Sequence, residues 1–180
     1  MKTWIALLRA VNVGGRNLVS MSDLRDLLAA SGHRNGRTLL QSGNAVFQAQ
    51  GKSDAELEKA LERATEKRLG VATDYFVRSS EEWQSIVAHN PFRAEAKRDP
   101  ARLIVVFMKG APRRKDVTAL QAAIQGPEVV RSWAKQLYAV YPDGMGRSKL
   151  TIARIERQLG SRGTARNWNT VLKLAAMTQD

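Results

Sequence analysis

Residues 37–48, RTLLQSGNAVFQ, place two short runs of strand-forming residues on either side of Ser42-Gly43. Serine, glycine and asparagine are residues that turns favour. The segment therefore predicts two strands, Arg37–Gln41 and Asn44–Gln48, joined around that dipeptide. The elements on either side of this pair identify the fold.

The segments around the two strands complete a known order of elements. Leucines at i, i+3 and i+4 predict a helix over Met21–Ala30, and Asp54–Leu69 has an apolar face with charged residues outside it. Strands are predicted over Thr3–Val11, where apolar residues alternate, and over Thr73–Arg78. The resulting order, βαββαβ, is that of a ferredoxin-like fold.

The second half repeats this order except at its end. Its predicted elements are a helix from a capping box at Ser79 to His89, a strand over Arg102–Met108, a helix from Pro112 to Ile124, strands over Glu128–Arg131 and Lys135–Tyr141, and helices over Ser148–Leu159 and Ala165–Met177. We therefore predict an α+β, sandwich-like fold: a tandem of two related ferredoxin-like halves, residues 1–78 and 79–180, in one compact unit. The second half is expected to end in helices.

The composition limits the class of protein. A chain of 180 residues with 43% apolar content can bury a core of its own. It has no cysteine, which excludes disulfides, thiolate nucleophiles and zinc–thiolate sites. The N-terminus does not match a signal peptide, and the longest apolar run, Leu103–Met108, is far too short to span a bilayer. We expect a cytoplasmic protein with no membrane partner.

The formal charge of +12 is distributed unevenly. Residues 1–100 hold 15 basic and 12 acidic side chains, whereas residues 101–180 hold 14 basic and 5 acidic ones. Such a field attracts anions, which suggests nucleic acid or a phosphorylated small molecule as partner. The alternative is a solvated surface with no specific ligand.

Two loops are expected to meet at one end of the first sheet. In the strand order 4-1-3-2, the loop after strand 1 and the turn between strands 2 and 3 share that end. Their candidate anion-binding residues are Asn12, Gly14, Gly15, Arg16, Ser42 and Asn44. Successive backbone N–H groups can form an anion-binding concavity, although tight turns that need positive φ explain the same glycines. The loop lacks G-x-G-x-x-G, so no dinucleotide cofactor is predicted.

A third candidate segment, residues 143–149, lies between a predicted strand and a predicted helix. Arg147, Ser148 and Lys149 combine two cations with a residue suited to cap a helix. Phosphate or carboxylate binds well at such helix starts, but a plain capped turn is the alternative. The segment is not a Walker loop.

The fourth candidate segment opens the last predicted helix. Trp168 begins an apolar i, i+3, i+4 pattern and is expected in the core, with Thr164 as N-cap. Arg166 and Asn169 then fall on another face, where we expect them to be exposed and to contact a ligand.

Candidate catalytic groups are few. His33 and His89 are best explained as ordinary turn or surface residues, and no catalytic triad or acidic metal cluster is present. The sequence predicts neither a metal nor a cofactor. Phe47 is the one aromatic residue of the third strand, which argues against a base-stacking RNA platform.

The four candidate segments also carry a resemblance. Residues 7–15, LLRAVNVGG, residues 41–47, QSGNAVF, residues 146–150, GRSKL, and residues 164–170, TARNWNT, resemble the signature blocks of the domain of unknown function 1697 family. Members of that family often have glycine where this chain has Ala10. The resemblance implies a compact bacterial α/β protein and supplies no reaction.

Taken together, these patterns favour binding of an anionic ligand, either nucleic-acid backbone or a phosphorylated small molecule. An enzyme acting on a small phosphorylated or carboxylated substrate is the first alternative. A structural or regulatory interaction protein is the second. The sequence gives no oligomeric state.

Overall fold

Two four-stranded antiparallel sheets organise the chain. The computed structural model describes residues 1–179. The strands are β1 (Lys2–Leu8), β2 (Arg34–Thr38), β3 (Asn44–Ala49), β4 (Tyr75–Ser79), β5 (Leu103–Met108), β6 (Val129–Trp133), β7 (Gln136–Val140) and β8 (Gly163–Asn167). The helices are α1 (Met21–Ala30), α2 (Asp54–Leu69), α3 (Ser80–Ala88), α4 (Arg93–Arg98), α5 (Arg114–Ala123), α6 (Ile152–Leu159) and α7 (Trp168–Met177).

The two sheets have the same topology. Sheet 1 has the order β2-β3-β1-β4, and sheet 2 has the order β6-β7-β5-β8. Each is the predicted 4-1-3-2 order of a ferredoxin-like βαββαβ unit, so the α+β fold with two related halves is confirmed. The chain divides into unit 1, residues 1–84 with the C-terminal residues from Leu174, and unit 2, residues 85–173.

In unit 1, side-chain caps start α1 and α2, and a glycine ends α2. Ser20 accepts a hydrogen bond from the Asp23 backbone, which starts α1. Ser53 and Glu56 form a reciprocal capping box at the start of α2, and Gly70 ends that helix in the left-handed conformation. These caps satisfy backbone groups that have no partner within the helix.

The core of unit 1 lies between sheet 1 and these two helices. Trp4, Ala6 and Leu8 alternate along β1 toward the buried faces of α1 and α2. The side chains that β1 points to the opposite face, Ile5 and Leu7, are also fully buried. Burial of both faces explains why the strand is a nearly continuous apolar run. Within residues 1–179 no helix is long and apolar enough to cross a membrane.

Unit 2 has an equivalent core, but two of its helices start later than predicted. α5 begins at Arg114 with Arg113 at its N-cap, so Pro112 is not the first helical residue. α6 begins at Ile152, and the side chain of Thr151 caps it by accepting from the Arg154 backbone. The prediction that Ser148 caps this helix is therefore wrong.

The last part of unit 2 differs more strongly from the predicted secondary structure. Residues 163–167 form strand β8, which pairs with β5 along its length. The helix α7 starts only at Trp168, where Asn167 accepts a hydrogen bond from the Thr170 backbone. The helix predicted from Ala165 is thus a strand in its first three residues, and Thr164 is not an N-cap. Unit 2 has the complete βαββαβ order.

The remaining strand boundaries differ by a few residues. β1 ends at Leu8 instead of Val11, and Ala10 has φ +51° in the left-handed region. β2 lies three residues earlier than predicted, and its register with β3 shifts between Arg34 and Arg37. Such bulges insert residues that no alternation pattern contains.

Candidate functional site

The predicted meeting of two loops in unit 1 is confirmed by direct contacts. The Asn12 side-chain amide donates to the carbonyls of Gln41 (2.6 Å) and Val19 (2.8 Å), and its oxygen accepts from the Val19 backbone (2.9 Å). A Cβ on Gly43 would lie 2.8 Å from the side chain of Leu8, so only glycine fits where the turn passes β1. Asn12 therefore holds the loops together with all of its polar side-chain atoms.

The other polar residues of these loops have structural contacts or point into solvent. Asn44 is fully buried and donates to the Leu39 carbonyl (2.7 Å) and to the Ser42 hydroxyl (3.0 Å). Gly14 and Gly15 both have positive φ, and Arg16 is exposed. The Arg16 backbone donates to the Val13 carbonyl (3.1 Å), which makes this a two-residue turn. The loop therefore has a glycine-tipped turn.

Arg166 does not have the exposed position expected for it. It lies in β8 and is 7% exposed, and its guanidinium donates to the Thr164 hydroxyl and the Ala165 carbonyl, both at 2.8 Å. Burial lowers the pKa of Arg166 to about 10. Trp168 is buried as predicted, and Asn169 is exposed. Arg166 and Asn169 therefore do not share one exposed face.

Arg147, Ser148 and Lys149 line a single groove in unit 2. The groove has a volume of about 250 Å³ and lies between the segment that leads from α5 into β6 and the segment that leads from β7 into α6. Arg154 of α6 adds a third cation to its lining. Three of the eleven predicted site residues thus meet in one concavity.

The wall opposite the cations contains a buried carboxylate. Glu128 is 8% exposed, and the Ser148 hydroxyl donates to it. The same hydroxyl accepts from the Leu150 backbone (3.0 Å), so Ser148 connects the two segments that form the groove. A Cβ on Gly126 would overlap the Glu128 carboxylate, so a larger residue there would require that side chain to shift. Asp143, the second acid of the lining, is exposed.

The cations of the groove differ in how they are held. The Arg154 guanidinium donates to the Ala123 carbonyl at the end of α5 (2.8 Å), which fixes its position. Arg147 and Lys149 are exposed, and within residues 1–179 neither side chain has a hydrogen bond or an ion pair. They can therefore turn toward an anion without losing an existing contact.

The groove lies in the more basic part of the chain. Unit 2 holds 17 basic and 6 acidic side chains, a net charge of +11, whereas unit 1 holds 12 basic and 11 acidic ones, a net charge of +1. Behind the groove, Tyr141 donates its hydroxyl to the Leu150 carbonyl (2.8 Å). Burial, with the nearby Glu128 carboxylate, raises the pKa of Tyr141 well above its usual range. The field of unit 2 favours an anionic ligand.

No signal in the sequence points to two residues of the groove, Arg154 and Glu128. Arg154 is one of several cations on an amphipathic helix, and nothing in its spacing distinguishes it. Glu128 was placed in a strand and carries no motif. Its contact with Ser148 joins residues 20 positions apart, which only the folded sheet brings together.

The two histidines have structural contacts in their own units. His33 is buried against the Phe47 ring, with centroids 4.9 Å apart, and burial lowers its pKa. His89 stacks on Trp133 at 4.1 Å and bonds the Ser85 carbonyl through Nδ1 (2.8 Å).

The fold and the groove define a class: an α+β protein of two ferredoxin-like units, one of which is strongly basic. The family model described as protein of unknown function (DUF1697) matches residues 1–138. The chain belongs to that family, as the sequence blocks indicated. The matched residues include the loops of unit 1 and one wall of the groove, whereas residues 147–154 lie beyond them.

Comparison with solved structures supports the fold. The chain is similar to conserved bacterial protein SP0830 from Streptococcus pneumoniae, with a TM-score of 0.78 and 22% identity. The similarity covers 100% of this chain and 99% of that one. No curated protein matches the chain.

Proposed function

We propose that unit 2 binds a small phosphorylated or carboxylated molecule in the groove lined by Arg147, Lys149 and Arg154. The observation that carries the proposal is the convergence of these three cations on one concavity of about 250 Å³. Hydrogen bonds between ionised donors and anionic oxygens are about twice as strong as neutral ones. Arg154 is already positioned, and the other two side chains complete the site when a ligand enters.

The acidic residues of the groove are compatible with an anion. Glu128 is occupied by the Ser148 hydroxyl, and Asp143 lies exposed to solvent, where salt and water screen its charge. The groove is small and concave, as small-molecule sites generally are, and this shape favours a small molecule over a duplex. A small phosphorylated or carboxylated molecule and a nucleic-acid backbone both present anionic oxygen atoms. Nucleic acid is therefore the competing ligand.

The test is calorimetric titration of the full chain with inorganic phosphate and with glycerol phosphate. We expect saturable binding that Arg147→Ala and Lys149→Ala each weaken about tenfold, the loss of about 1.4 kcal/mol. Arg157→Ala is the matched control, because Arg157 is an exposed cation of the same helix that does not line the groove. A control that weakens binding equally would show general charge attraction and contradict the proposal.

Duplex DNA gives the second arm of that test. Backbone binding should show a steep salt dependence, with a log–log slope of about −0.9 for each phosphate contacted. Binding of duplex that is tighter than binding of glycerol phosphate, with such a slope, would replace the small ligand by nucleic acid.

The hydrogen bond from Ser148 to Glu128 favours a second candidate, an enzyme acting on a small ester. The Ser148 oxygen would attack the phosphorus or carbonyl carbon of the ester while its proton passes to Glu128, and that proton would leave with the alcohol. Water would then release the acid from Ser148, and the cations would stabilise the negative charge that develops in both steps. Assays with nitrophenyl phosphate and nitrophenyl acetate test this candidate. Turnover should be lost in Ser148→Ala and Glu128→Gln but kept in Arg157→Ala, and an inactive wild-type protein would reject these substrates.

A further inference from the structure

The edge strands β2 and β6 occupy equivalent places in the two sheets and differ in how they are protected. In β2 the pairing with β3 is interrupted at Asn35-Gly36, and Asn35 has φ +53°. The Arg37 guanidinium also donates to the Met177 carbonyl. A bulge and a covered edge are devices that prevent further strands from pairing.

Strand β6 has no bulge, and only the Val130 end of its edge is covered. Its register with β7 is continuous from Val129 to Trp133, and a two-residue turn connects Trp133 to Gln136. The residue pair that closes such a turn is hydrogen-bonded. Along an antiparallel ladder, hydrogen-bonded pairs alternate with non-hydrogen-bonded pairs. The backbone N–H and C=O groups of Val130 and Ser132 therefore point away from β7.

The surroundings of Val130 agree with this assignment. Its N–H donates to the side-chain oxygen of Gln121 in α5 (2.8 Å), so it does not bond β7. Gln121 covers only this first donor of the edge. Ser132 is exposed, and its outward backbone groups are accessible at the other end of the strand.

A long groove follows this edge between β6 and α5. Its volume is about 580 Å³. Its floor is formed by the apolar side chains of Val117 and Val130, which are 8% and 3% exposed. Its lining includes Arg114 and Arg131 and contains no acidic residue. Arg131 is held over the Phe92 ring at 5.7 Å and is exposed.

We propose that this edge accepts an extended acidic segment of a partner protein as an additional strand beside β6. Main-chain hydrogen bonds to Ser132 would supply the pairing, and alternate side chains of the segment would supply specificity. An acidic residue opposite Arg131 would occupy a non-hydrogen-bonded pair, in which side chains lie closest. Side chains on the other face of the segment would meet Arg114 and the apolar floor. The inference is independent of the anion groove.

The experiment measures the fluorescence anisotropy of a labelled peptide that alternates valine and glutamate, titrated with the full chain. Ser132→Pro removes the outward N–H from an edge strand, a position where proline is tolerated. We expect it to weaken binding at least about tenfold, whereas Ser132→Ala, which keeps the N–H, should bind like the wild type. Circular dichroism of both variants reports whether the fold is kept.

Charge reversal provides a second variant that does not alter the backbone. Arg131→Glu should weaken binding of the acidic peptide about tenfold or more and permit binding of a peptide that alternates valine and lysine. Lys149→Ala should leave peptide binding unchanged, which separates this surface from the anion groove. Equal binding of both peptides by the wild type would overturn the acidic specificity.

Two other outcomes would overturn the proposal as a whole. Peptide binding that survives both Ser132→Pro and Arg131→Glu would place the peptide elsewhere. Sedimentation that shows a dimer in the wild type and a monomer in Ser132→Pro would show that the edge pairs with a second copy of the chain.

Discussion

In each unit, one row of paired residues that crosses the sheet begins and ends with an arginine. The two units differ in the residues that lie around these arginines. Each row crosses its four-stranded sheet from one edge strand to the other and has two buried apolar or aromatic residues in the middle. The rows consist of Arg37, Val46, Ile5 and Arg78 in sheet 1 and of Arg131, Tyr138, Val105 and Arg166 in sheet 2. The two units thus share the arginines at both ends of this row as well as the topology.

The difference lies in the charges around the buried arginine. Arg78 is 1% exposed and has carboxylates of Glu58 and Glu82 at 3.7 and 3.5 Å. Burial lowers the pKa of Arg78, and these carboxylates oppose that effect. For Arg166 burial alone is the cause of the lowered pKa.

The helices that cross each sheet account for this difference. Glu62 of α2 accepts from the first backbone N–H of β4 (3.0 Å), and Glu156 of α6 accepts from that of β8 (3.1 Å). One helical turn earlier, α2 has Glu58, whereas α6 has Ile152, which packs on the core of unit 2. Unit 1 thus has a carboxylate beside Arg78 at the helix position where unit 2 has the apolar Ile152.

The largest expected effect is that of Arg78→Met. Methionine fills much of the volume but removes the cation between two carboxylates, of which Glu58 is nearly buried. Breaking a buried ion pair from one side costs about 3–5 kcal/mol. Urea denaturation should show a loss of this size in the free energy of unfolding.

Two further variants make this result interpretable. Arg68→Met changes an exposed cation of α2 and should cost less than about 0.5 kcal/mol. Adding Glu58→Gln to Arg78→Met should recover part of the loss, since the residual charge at that position disappears. A single variant as stable as the control would show that Arg78 is not held by the carboxylates.

Arg166→Met should have a smaller effect than the equivalent change in unit 1. Burial already disfavours the charged guanidinium of Arg166, so an apolar side chain of similar length relieves that cost while it loses the bonds to Thr164 and Ala165. We expect a change within about 1.5 kcal/mol. Arg166→Ala should cost more, about 2–4 kcal/mol, because it leaves a cavity.

The same denaturation measurements check this comparison. A cost for Arg166→Met equal to that for Arg78→Met would show that both units hold their arginine by ion pairing. The difference between the units would then lie only on the surface.

The repeat of βαββα elements could be predicted because capping residues and apolar periodicity are local. Helices α1 and α2 have the bounds that their apolar periodicity predicted, Met21–Ala30 and Asp54–Leu69. The repeated arginine rows could not be predicted, since Ile5 and Val105 are 100 residues apart but Arg78 and Arg166 are 88 apart. Only the register of the sheets aligns them.

Strand β8 and the groove show where local patterns fail. The apolar period that starts at Trp168 led to a helix predicted from Ala165, but pairing with β5 makes residues 165–167 a strand. Serine is a favoured helix cap, but the Ser148 hydroxyl instead donates to Glu128, which the folded sheet brings next to it. Arg147 and Lys149 were predicted as an anion-binding pair, and their place in the groove leaves that prediction open to the titrations above.

The smallest expected effect concerns one alanine in each unit. Ala10 and Ala134 are both exposed and have φ of +51° and +49°, a region in which a Cβ is strained. Glycine adopts this conformation without that strain but loses more chain entropy on folding, so the two effects partly cancel. Ala10→Gly and Ala134→Gly should each raise the free energy of unfolding by roughly 0.5–1 kcal/mol.

Thermal melts can resolve this gain, because 1 kcal/mol shifts Tm by about 2–4 °C in a chain of this size. Ala60→Gly in the middle of α2 is the matched control and should lower stability by about 1 kcal/mol, since there the same substitution gives only the entropic loss. Equal gains at Ala10 and Ala134 would show that the strain is the same in both units. A gain at one position alone would mean that the other turn holds its alanine without strain, and a loss at both would contradict the conformational argument.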